Sequence, residues 1–361
     1  ADGCRRFRRV ALKVPLTTGV DELKIEVESM HDLCHPNVVQ MLGMMCGKTK
    51  GSGDETHWAM ALEWCESTLT KLLYEPELAD PDGLYTPLAQ MCELMEDVVR
   101  GMIYIHSNDR PHLDIKPDNI LLARDRLTSK YIAKLADFGM TYQDDANLQR
   151  MNSPAAQSQR LRGGGGDSPI DNDAIVPFGT WEYLSPECWK RKYGKPCTAS
   201  DIFSFGLLMW EMLARCRIST HLLDADNLAH TCVDEDGKVT LNVEIVPVLF
   251  VKGARPRHMG LQSEVQAHCG WHVYYRLMQA CWVAEMDKRP TAALVAEALR
   301  LAHLYTASEQ TQQEIAALET EAKSVRSAGP TADETRSANA AITYDDFLAL
   351  VGLQDKKAEL A

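Results

Sequence analysis

The alternation of polar and apolar positions divides the chain into a strand-rich beginning and a helix-rich remainder. Val10-Ala-Leu-Lys-Val-Pro15 reads as a short buried strand behind a turn at Asp2-Gly3. Between Asp21 and Leu33 the positions Leu23, Ile25, Val27, Met30 and Leu33 favour a helix that stops before His35-Pro36. Val38 to Met45 and Trp58 to Trp64 read as strands, with a polar, glycine-rich connection over about 47–56. After Glu66 the period lengthens, and helices are predicted at 69–74, 88–107, 200–214, 272–284 and 292–304. Strand, helix, strand, strand and then a helical body predicts an α+β architecture in two lobes.

Two segments interrupt the helical part. Residues 142–178 contain Ser153-Pro154, Ser168-Pro169 and four glycines at 163–166, the composition of a flexible loop. Residues 230–247 carry Asp234-Glu-Asp-Gly237 and read as a surface insertion. From 305 to 361 the chain is a polar tail with ten acids against five bases. Ile315, Leu318, Ala322 and Val325 keep helical spacing there, but Ser308 and Thr311 fill seam positions and Gly329-Pro330 ends the pattern. Ile342 to Val351 reads as a short amphipathic docking helix, because 335–341 lacks the carboxylates and glycine of a calcium loop. No internal repeat is present.

Charge narrows the function classes. Thirty-eight Lys+Arg against 51 Asp+Glu give −13 at neutral pH, which argues against a general nucleic-acid binder. No apolar run approaches the roughly 18 residues of a spanning helix. The richest run, Ile202 to Leu213, is interrupted by Ser204 and Glu211. Arg5, Arg6, Arg8 and Arg9 precede only a short apolar strand, unlike a signal peptide. Eleven scattered cysteines without a C-x-x-C pair read as reduced thiols of a cytoplasmic protein.

The most specific chemistry lies in His112-Leu-Asp-Ile-Lys-Pro-Asp-Asn119-Ile-Leu-Leu122, followed by Asp137-Phe-Gly139 after an apolar strand. This pattern resembles the protein kinase family, over about residues 8 to 304. The resemblance implies a bilobal kinase fold, ATP and Mg²⁺ as cofactors, and protein substrates. Phosphoryl transfer needs charge neutralisation, metal ligands and a carboxylate to take the acceptor's proton. The resemblance gives that carboxylate as Asp114, with Lys116 beside the transferring group. Asn119 and Asp137 then supply the hard oxygen ligands that Mg²⁺ prefers.

Other positions follow from the same resemblance. Lys13 ends the V-A-L-K strand and would hold the α/β-phosphates, paired with Glu26; Glu28 is the alternative partner. Ala11 and Leu121 would sandwich the adenine, Leu62 would guard the back of the pocket, and Glu63 and Cys65 would offer backbone groups to the adenine edge. Met30, Met41, His112 and Phe138 would stack through both lobes above Asp201. In Gly179-Thr-Trp-Glu-Tyr-Leu-Ser-Pro-Glu187, Thr180 would bond the Asp114–Lys116 pair, and Glu187 would form a buried ion pair with Arg289.

Lys116 with Gly179-Thr180 fits kinases acting on Ser/Thr, whereas Cys281-Trp282 before Lys288-Arg-Pro290 is typical of the tyrosine-kinase-like branch. The implied layout is a catalytic domain at 1–304, with an N-lobe at 1–65 and a C-lobe at 66–304. Two departures stand out. Leu113 replaces the arginine that binds an activation-loop phosphate, so activity is expected not to depend on that clamp. The family's glycine-rich loop is missing before Lys13, which reads as truncation. The competing expectation is a pseudokinase that binds partners without transferring phosphate.

Overall fold

The computed structural model describes residues 9–15, 20–48, 56–75, 88–125, 127–141, 179–222, 231–233, 239–241, 243–256 and 269–306. The expectations for 1–8, 142–178 and the tail beyond 306 lie outside the described residues.

The first lobe contains β1 (Val10–Lys13), α1 (Val20–Met30), β2 (Met41–Lys48) and β3 (Thr56–Glu63). Its sheet is antiparallel with order β1-β3-β2. The expectation of a buried first strand is corrected. Among the described residues β1 pairs only with β3, and its outward positions Val10 and Leu12 are 42% and 51% exposed. Ala11 and Lys13 take the half-buried face, as the two-residue period of a strand requires.

α1 buries Leu23, Glu26 and Met30, spaced three and four apart along one face. It ends at Met30, before the expected Leu33, in a turn where the Leu33 amide donates to Met30 O at 3.0 Å. Val38 and Val39 are buried but precede β2. Val38 bridges to Leu135 in parallel, and the Val39 amide donates to Leu135 O at 2.8 Å, joining the lobes. A continuous apolar run does not name its partner, so the pattern placed these residues in the wrong strand.

The second lobe is built from α2 (Leu69–Tyr74), α3 (Leu88–His106), α4 (Pro186–Trp189), α5 (Thr198–Ala214), α6 (Ile218–His221), α7 (Val246–Val251), α8 (Cys269–Cys281) and α9 (Ala292–Thr306). Every residue of α5 from Ser200 to Leu213 is buried, so this is the central helix. A Cβ on Gly206 would lie 2.8 Å from the Cys281 Cβ, so glycine permits the close approach of α5 and α8. α9 packs on both α3 and α8. No helix among the described residues is long and apolar enough to cross a membrane.

The helical body also contains sheet. β4 (Ser67–Thr68), β5 (Ile120–Arg124) and β6 (Tyr131–Leu135) form an antiparallel sheet in that order. The sequence predicts only the strand before Asp137. At 230–247 the expected insertion contains an antiparallel hairpin, β7 (Thr231–Val233) with β8 (Val239–Leu241), and then a 3₁₀ turn leading into α7. Two- and three-residue strands are too short to display a period.

Candidate active site

β1, α1 and the turn after β6 bring three charges together. Lys13 Nζ donates to Glu26 at 2.8 Å and to Asp137 Oδ1 at 3.0 Å. Glu26 is on the buried face of α1, whereas Glu28 is on its exposed side. Burial opposes charge on Lys13, but Glu26 and Asp137 outweigh it and raise its pKa. Burial raises the pKa of Glu26 despite the lysine beside it. At Asp137 burial pulls upward as well, but the Lys13 charge and hydrogen bond leave the carboxyl below its ordinary value.

The loop after α3 carries the second group. Asp114 Oδ1 accepts from the Thr180 amide at 2.9 Å and from the Thr180 hydroxyl at 2.8 Å. Its Oδ2 accepts from Lys116 Nζ and Asn119 Nδ2, each at 2.8 Å. Lys116 Nζ also donates to Thr180 Oγ1 at 2.7 Å, which closes a ring of polar contacts. Gly179 is required beside this ring. Its φ is +101°, and a Cβ would lie 2.4 Å from Leu113 O.

Buried Asp201 on α5 holds the loop from below, accepting from the amides of His112 and Leu113 at 2.7 Å. His106 Nε2 is also 2.7 Å from Asp201 Oδ2. The rings of His112 and Phe138 are 4.9 Å apart, and Met30 is buried in the same core while Met41 packs against it. Leu113 takes φ of +64° and is buried with Leu184 and Cys188, against Met140 and Trp181. Glu187 on α4 and Arg289 meet at 2.6 Å and 3.0 Å, both fully buried.

At the expected adenine pocket, Ala11 is register partner to Leu62, and Leu121 lies on β5; all three are half-buried. The Glu63 side chain accepts from the Gln40 amide at 2.8 Å and pairs with Lys134 at 3.0 Å. Cys65 is half-buried, and burial pushes its thiol up to about 12.

Several positioning contacts were not read from sequence. Arg110 donates to both oxygens of Asp32, at 2.6 Å and 2.7 Å, and to Ser29 O at 3.1 Å, fastening the end of α1 to the helical lobe. Ser200 donates to Glu187 at 2.7 Å. Their partners are 78 and 13 residues away, so no local spacing marks them.

A carboxylate held among a lysine, a threonine and an amide can accept a proton from an approaching hydroxyl. Asn119 uses Nδ2 toward Asp114, which leaves its amide oxygen as an acceptor. With the carboxylate of Asp137, half exposed, this is an oxygen donor set that fits Mg²⁺. A small antiparallel sheet over a helical lobe, with a lysine–glutamate pair facing one acid and a second acid in a lysine-bearing loop, defines the class of the kinase fold. The model described as the protein kinase domain matches residues 6–301, and the chain belongs to that family.

The chain is 28% identical over 73% of its length to a probable serine/threonine-protein kinase of Dictyostelium discoideum, of which it spans 14%. It is 29% identical over 74% to receptor-interacting serine/threonine-protein kinase 3 of Rattus norvegicus, spanning 45% of that protein. It is 26% identical over 82% to tyrosine-protein kinase SPK-1 of Girardia tigrina, spanning 48%. The chain therefore covers less than half the length of each of these relatives.

Proposed function

We propose that this chain is the catalytic domain of an ATP-dependent protein serine/threonine kinase of the tyrosine-kinase-like branch. The observation that carries the reading is the ring in which Thr180 bonds both Asp114 and Lys116. Bound MgATP supplies the phosphoryl group and the charge that activates it. In this reading Asn119 and Asp137 hold the metal, Lys13 holds the phosphates, and Ala11, Leu62, Glu63, Cys65 and Leu121 surround the adenine. The substrate hydroxyl forms the new P–O bond as the bond to the nucleotide breaks, and its proton passes to Asp114. Lys116 offsets the negative charge on the transferring group. Ser/Thr preference is supported by Lys116 and Thr180 side by side, and by the names of two of the relatives. The same reading takes 1–304 as catalytic domain and 305–361 as a tail that docks a protein partner, in the cytoplasm.

The test is phosphate transfer from ATP to matched peptides bearing Ser, Thr or Tyr, using the full-length protein. Transfer to Ser and Thr that is lost in Asp114→Asn is the expected result. Transfer that survives Asp114→Asn overturns the catalytic assignment. Transfer to Tyr alone overturns the specificity, and nucleotide binding without transfer makes the chain a binding module.

A further inference from the structure

Arg110 is a cation only 4% exposed, in the turn between α3 and the loop that carries Asp114. Its backbone is held on both sides. The Arg110 amide donates to Ile105 O at 3.1 Å, and Pro111 after it disfavours a helical conformation. One residue further, the His112 amide is fixed to buried Asp201 at 2.7 Å. The guanidinium crosses to the first lobe, where it forks both oxygens of Asp32 and donates to Ser29 O. Ser29 lies in the last turn of α1, which has no basic residue of its own. Its carbonyl is among those that a helix end leaves without an intrahelical partner, and the negative end of the helix dipole favours a cation there. Arg110 thus caps α1 from the opposite lobe. Ser29 is one turn beyond Glu26, which meets Lys13 at 2.8 Å. The Ser29 hydroxyl donates to Ile25 O at 2.9 Å and lies 3.5 Å from Thr141 O, in the segment that Asp137 begins.

We propose that Arg110 is a positioning residue for phosphate transfer, a latch that holds the end of α1 against the helical lobe and so keeps Glu26 on Lys13. Its consequence for catalysis rests on the kinase reading above. A planar guanidinium that gives two bonds to one carboxylate fixes direction as well as distance, so α1 cannot turn or slide along its axis and keep both. Moving Asp32 away would also strand the Arg110 charge out of water, which penalises any displaced position of α1. The bond from Arg110 holds the Asp32 carboxyl below its ordinary value, in keeping with a formed pair. A misplacement of about 1 Å far from the reacting atoms can cost on the order of 10²-fold in rate, so a fixed end of α1 matters to the Lys13–Glu26 contact one turn away.

The experiment compares Arg110→Met, Arg110→Lys, Asp32→Ala and Glu26→Gln, and Arg110→Met combined with Glu26→Gln, in the full-length protein. It reads kcat/KM for ATP, peptide KM and amide exchange over residues 20–33. Arg110→Met and Asp32→Ala are expected to lower kcat/KM for ATP on the order of tenfold, with peptide KM within about twofold of wild type. Exchange over 20–33 speeds up in both. Arg110→Lys keeps the charge without the fork, and its loss falls between wild type and Arg110→Met. The double variant is no slower than the slower of its two single variants, because both changes break the same contact. Losses that multiply in the double variant overturn the inference, as does unchanged exchange over 20–33 in both Arg110→Met and Asp32→Ala. An equal change in the ATP and peptide KM values overturns it too. If the wild type transfers no phosphate, the kinase reading fails, and amide exchange still decides whether Arg110 holds α1. If Arg110→Met does not fold, Asp32→Ala, changed at a half-exposed carboxylate, gives the same decision alone and combined with Glu26→Gln.

Discussion

Glu187 and Arg289, 102 positions apart, form a two-pronged ion pair at 2.6 Å and 3.0 Å with neither side chain exposed. The guanidinium is satisfied further by the carbonyls of Val283, Ala199 and Ala284 at 2.9–3.0 Å. Removing one partner leaves a charge buried and unmatched. Arg289→Met is therefore expected to destabilise the domain by about 3–5 kcal/mol in a denaturant titration. Glu187→Leu combined with Arg289→Met is expected to recover part of that loss, because no lone charge remains.

Leu113 fills an apolar contact where the family carries a phosphate-binding arginine. Its neighbours Leu184 and Cys188 lie within and just after the Gly179–Glu187 segment, so packing joins the loop that carries Asp114 to that segment without a charge. Alanine at every Ser and Thr from 141 to 180 except Thr180 is expected to preserve phosphate transfer in the full-length protein. Abolished transfer in that variant would end this reading. Leu113→Arg is expected to lower the melting temperature, because it drives a cation among apolar groups.

Lys13 faces both Glu26 and Asp137, so its loss removes a cation from two acids at once. Lys13→Met is expected to reduce kcat/KM for ATP by on the order of 10²–10³, the range for removing one preorganised electrostatic contact. Glu26→Gln is expected to cost less, since the lysine and its bond to Asp137 remain. Steady-state kinetics at varied ATP separates the two.

One contribution to the pH dependence of stability comes from Glu211, buried on α5 against the hydroxyls of Tyr74 and Tyr183. Its folded pKa of about 8 lies above the unfolded value, so its contribution is fully present below about pH 4.5 and is lost as pH rises toward 8. Glu211→Gln is expected to flatten that slope, which is worth a few kcal/mol on the order-of-magnitude scale of one pKa unit. Thermal melts between pH 4.5 and 9 in both proteins check it.

Cysteine labelling gives a direct test of exposure. Cys34 and Cys46 are exposed, whereas Cys65 is half-buried with its thiol held up near 12. An alkylating reagent at neutral pH is expected to label Cys34 and Cys46 well before Cys65, read by peptide mass mapping.

The elements most legible in the sequence are the long helices. The bodies of α3, α5 and α9 follow apolar spacing over several turns, and local repetition is enough to mark them. The residues that meet in the candidate site were also marked, because Asp114, Lys116 and Asn119 share one short motif and Asp137 begins another. The misplacement of Val38 and Val39 has a different origin. Their apolar character says that they are buried, and only the bonds to Leu135 say against what. The short strands β4, β7 and β8 failed for lack of length.

The sequence by itself determined the class of chemistry, the order of the lobes and the identity of the charged groups, because these are local in the chain. The resemblance favours Glu26 over Glu28 as the partner of Lys13, but only tertiary structure supplies the reason, since the choice depends on which face of α1 packs inward. Tertiary structure also decided that Leu113 joins an apolar cluster and that Glu211 serves two tyrosines from different elements. Contacts between positions 28 to 137 residues apart have no local periodicity, and the packing that makes them is a property of the whole fold.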